Sequence, residues 1–104
     1  MNENVEDKIR SLSLPQLEIL MVMAKSNEPV STSREIMQST GTSSYTFGAI
    51  ISPLRRHKVD GLSLIVQAGK DGANGVRWQI NEKLVTKQDL LILLNSMGVQ
   101  IEEN

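Results

Sequence analysis

A chain of 104 residues, 39% of them hydrophobic, has room for one domain and one modest core, and it can fold without a metal or a crosslink. The lack of cysteine excludes thiol catalysis, thiolate metal sites and disulfides together, and a single histidine, His57, cannot build a zinc site alone. The net charge of −1 is unevenly spread: residues 42–83 carry Arg55, Arg56, Lys58, Lys70, Arg77 and Lys83 against Asp60, Asp71 and Glu82, while both flanks are acidic. A basic middle on an acidic chain points to one anion-facing surface.

No stretch approaches the ~20 apolar residues of a membrane span. The acidic opening MNENVEDK has the wrong charge for a signal peptide. The expectation is a soluble, cytoplasmic protein with no membrane partner.

In chain order, residues 1–12 are polar with Val5, Ile9 and Leu12 at helical spacing, and read equally as a short helix or a frayed arm. Ser13 and Gln16 form a capping box with Pro15 in the first turn, opening a helix whose apolar face is Leu17, Leu20, Met21 and Ala24. Ser26-Asn27-Glu28-Pro29 ends it. Thr32 and Glu35 form a second capping box for a short helix carrying Ile36 and Met37. Thr40-Gly41 is a turn, and a third helix capped by Thr42 or Ser43 follows, with Phe47, Ile50, Ile51 and Leu54 on one face. The period then changes: Leu64, Val66 and Ala68 alternate, as do Val76, Trp78 and Ile80, around the glycine-rich tip 69–75. A last helix opens at Thr86 and runs through Leu90–Leu94 to Met97-Gly98. This order gives an α+β, mainly helical fold class.

The layout resembles a winged helix-turn-helix of the MarR and penicillinase-repressor type. The resemblance is carried by Leu17, Ile19 and Leu20, then Glu35 and Ile36, then Gly41, Ser43, Thr46, Phe47, Ile50 and Leu54, and covers residues 13–83. It implies a three-helix core with a β-hairpin wing over residues 13–83, an arm or short helix over 1–12, and an extra C-terminal helix over 84–104. It also implies a small regulator of transcription or replication with double-stranded DNA as its partner.

Two features depart from that pattern. Pro53 removes a hydrogen bond to Ala49, so it either kinks the third helix or begins a fresh turn. Ser44, Tyr45, Gly48, Ala49 and Ser52, on the face expected to meet bases, include no Arg, Gln or Asn, the usual bidentate readers.

The candidate DNA contacts are Ser43, Ser44, Tyr45 and Thr46 at a helix N-terminus, Arg55, Arg56 and Lys58 at its far end, and Lys70 and Arg77 on the hairpin. Trp78 reads as a core anchor and His57 as a solvated member of the basic run. Leu90–Leu94 is apolar on every side, and Leu90, Leu94, Met97 and Ile101 keep a coiled-coil spacing, which predicts a symmetric homodimer through that helix. Scattered carboxylates offer no catalytic constellation, so no enzyme activity, cofactor or metal is expected. The competing expectation is an adaptor that uses the same fold to bind protein rather than DNA.

Overall fold

Helix boundaries follow local capping chemistry in the computed structural model, which describes residues 1–101. Helix α1 (Glu3–Arg10) is capped by Asn2, whose side chain accepts from the Asn4 amide at 2.6 Å. Val5 and Ile9, one turn apart, are both buried, so the start of the chain is a docked helix and not an arm. Helix α2 (Leu14–Lys25) carries the Ser13/Gln16 box in full, with both reciprocal hydrogen bonds made. Its apolar residues extend most of the way round, and it packs against α3, α4 and α5 as the central helix of the core.

Helix α3 (Ser33–Thr40) is opened by the Thr32/Glu35 box and closed by Gly41 at φ +69°, a left-handed conformation that costs glycine little. After the turn, Ser43 caps α4 (Ser44–Arg56), its side chain accepting from the Thr46 amide at 3.3 Å. The helix continues through Pro53. The missing N–H takes away the helical donor to the Ala49 carbonyl, and both residues are exposed, so the gap lies on the solvent side of the helix. Thr86 caps α5 (Lys87–Ser96), and the Lys87 ammonium donates to the Ser26 and Glu28 carbonyls, tying α5 to the loop after α2.

Three antiparallel strands form the main sheet, in the order β1 (Ser31–Thr32), β5 (Val76–Ile80), β4 (Ile65–Lys70). A second, two-stranded ladder joins β2 (Lys58–Val59) to β3 (Leu62–Ser63). Its connection is Asp60-Gly61, with φ of +53° and +81°, the positive values that a tight type I′ hairpin turn requires. The alternation expected of Leu64, Val66 and Ala68 is corrected here. Leu62–Ser63 turns back onto β2, Leu64 is buried at the junction, and β4 starts one residue out of phase, with Ile65 inward and Val66 outward. Opposite it, Trp78 and Ile80 face the core as their alternation predicts. A single 3-10 turn, Gly72–Asn74, closes the β4–β5 hairpin.

Candidate nucleic-acid interface

Helix α4 buries Phe47, Ile51 and Leu54 and leaves its opposite side bare. At 100° per residue, Tyr45, Ala49, Ser52 and Arg56 fall on one outward stripe. Tyr45 is 89% exposed, the largest exposure of any large hydrophobic among the described residues. An added Cβ at Gly48, beside the stripe, would meet nothing within 4 Å, so open space adjoins the backbone there. Arg56 closes the stripe by donating to Ser52 Oγ at 3.3 Å. Ser43, Ser44 and Thr46 are exposed at the N-terminal end, where Ser43 Oγ lies 3.1 Å from Thr46 Oγ1.

The structure brings Arg55, Arg56 and Lys58 into one open cleft, whose other walls are Ser63, Ile65, Val66, Gln67 and Trp78. Arg55 and Arg56 come from the last turn of α4, where positive charge complements the helix dipole. Lys58 arrives by a different route. His57 leaves the helix in extended conformation, and the Asp60-Gly61 hairpin then sets Lys58 opposite Ser63. Among the described residues, no carboxylate lines the cleft and none of the three cations has an ion-pair partner.

Ser43–Thr46 do not line this cleft; they stand at the other end of α4, about 18 Å away along the axis. Lys70 and Arg77 lie on the β4–β5 hairpin, both exposed and also outside it. Arg77 reaches Asp71 at 3.9 Å, so the hairpin arginine has an acidic neighbour at its own tip. The sequence expectation missed Asp71 in this role. It also missed Ser63, Val66 and Gln67 as walls of the cleft, although the Asp-Gly pair that positions Ser63 was a visible hairpin signal.

The expected dimer seam requires correction. Leu90 and Leu94 are 1% and 0% exposed and belong to the chain's own core, against α2. Met97 and Ile101 are half-buried against that same core. What α5 turns outward is Ile92, at 60% exposure, with Leu91 half-buried beside it. A heptad-like spacing cannot distinguish a seam between two chains from a seam between two helices of one chain.

Comparison with known protein families, curated proteins and solved structures gives no match for this chain.

Proposed function

We propose that the chain is a winged helix-turn-helix protein that binds duplex DNA as a small regulator of transcription or replication. In this reading α3 and α4 form the helix-turn-helix, α4 is the recognition helix and the β4–β5 hairpin is the wing. The carrying observation is the bare outer stripe of α4. A 13-residue helix is held by the core along one side only, with hydroxyls at its N-terminus and cations at its C-terminus. Small side chains in mid-stripe let a helix approach a groove closely, and free N–H groups with serine and threonine hydroxyls at its start suit phosphate oxygens. The sheet order supports the same reading, since β1 lies between α2 and α3 in sequence and pairs with β5, bracing the hairpin.

With no guanidinium or amide in the first two turns of the stripe, affinity rests mainly on the DNA backbone. Such binding weakens steeply with salt. Fluorescence anisotropy on a labelled duplex should show a loss on the order of 10²–10³ in affinity between 50 and 200 mM salt, given four to six phosphate contacts. A flat response, or no binding at the lower salt, rejects the reading.

A further inference from the structure

We propose that the cleft between the end of α4 and strand β4 is a seat for a phosphate group. This deepens the DNA reading, and rests on it only where the phosphate belongs to a duplex. Two observations carry it. Arg55, Arg56 and Lys58 reach the cleft from two different elements, and no acid lines it among the described residues. The helix dipole accounts for positive charge at Arg55 and Arg56, but not for Lys58, which lies beyond the helix in β2 and is aimed by the Asp60-Gly61 turn.

With no acid among its described lining, a cleft shared by three cations favours an anion. Arginine supplies planar paired donors for phosphate oxygens and lysine a compact charge. Ser63 and Gln67, which also line the cleft, carry neutral donor groups. The shared chemistry is the phosphate itself, as a backbone diester of DNA or as a free phosphate.

The test is amide NMR of the full chain at constant ionic strength, with phosphate exchanged for chloride in one arm and a short duplex titrated in the other. Saturable shifts at Ser63, Val66 and Gln67 are expected in at least one arm, and the arm identifies the source. The double variant Arg55→Gln/Lys58→Gln should abolish those shifts while its remaining spectrum stays that of the folded parent. In the duplex arm it should also lose roughly 10–100-fold in affinity at 0.1 M salt, with the salt slope reduced by about 2. Lys83→Gln, an exposed cation outside the cleft, sets the effect of removing a charge elsewhere. Shifts that do not saturate in either arm overturn the proposal, as do shifts that survive the double variant. If the duplex binds but the double variant loses no more than Lys83→Gln, the seat is rejected for DNA while the DNA reading stands. If no duplex binds but phosphate saturates, the DNA reading falls and the seat remains.

Discussion

Ser33 joins two elements through one hydroxyl. It accepts from the Trp78 indole N–H at 3.0 Å and donates to the Val76 carbonyl at 3.3 Å, fastening the start of α3 to β5. Ser33→Ala leaves a buried indole donor without a partner and should cost about 1–3 kcal/mol in urea unfolding. Gly75 meets the same residue from the other side. At φ +86° and ψ −152° it occupies backbone space that is nearly exclusive to glycine, and a Cβ there would sit 3.1 Å from Ser33 Cβ. Gly75→Ala should therefore destabilise by about 1–3 kcal/mol, read in the same unfolding experiment. A loss under about 0.5 kcal/mol would show that the hairpin tip relaxes freely. At this scale the caps were legible in the sequence, because Ser13, Thr32, Ser43 and Thr86 act within three residues of themselves. The work of Ser33 was not, since its partners lie 43 and 45 residues away.

The C-terminal helix shows where periodicity stops being informative. All-round apolar character in α5 fits a helix facing a second chain as well as one set deep in its own core. Only long-range packing decides, and here Leu90, Leu93 and Leu94 are buried in the chain's own core, with α5 packed against α2. Two single changes separate the faces. Leu94→Glu places a carboxylate in a fully buried position and should cost more than about 4 kcal/mol, unfolding the chain rather than separating copies of it. Ile92→Glu is exposed and should stay within about 0.5 kcal/mol of the parent in thermal melts. Light scattering on the Ile92→Glu variant then reports whether α5 pairs in solution, free of any effect on folding. Strands were read less well than helices for a related reason. β1 and β2 are two residues each, too short to show any period, and the out-of-phase start of β4 depends on Leu62–Ser63 pairing backwards.

Across the whole molecule, the basic middle of the sequence resolves into two separate groups of charge, with Lys83 beyond β5 and outside the cleft. Arg55, Arg56 and Lys58 share a cleft; Lys70 and Arg77 occupy the hairpin, where Asp71 offsets part of their field. If the hairpin is a wing, its charges act on any duplex through the backbone alone. Lys70→Gln/Arg77→Gln should weaken all sequences equally and flatten the logarithmic salt slope by about 2. Asp71→Asn should move affinity the other way, because it frees Arg77 from its acidic neighbour. Anisotropy on two unrelated duplexes checks both signs, and a sequence-dependent effect of the double variant would count against backbone contact. The charge asymmetry was visible in the composition; its division into two sites was not, since that depends on which turn carries Lys58.

The pairing of β1 with β5 bears on how the chain opens. Ser31 lies opposite Trp78, so this two-residue ladder, with the Ser33–Trp78 bond beside it, closes a loop that contains all of α3 and α4. Closing a loop of this size has an entropic cost that the ladder alone cannot offset, so the ladder and the packing of the two helices must form together. Helices α3 and α4 are thus the content of a closed ring and not a pair of arms free to lift. In native-state hydrogen exchange, the amides of Ile36, Ile51 and Trp78 should open as one cooperative unit with a common free energy. Exchange at Ile51 well ahead of Trp78 would show that α4 can detach while the clasp stays shut.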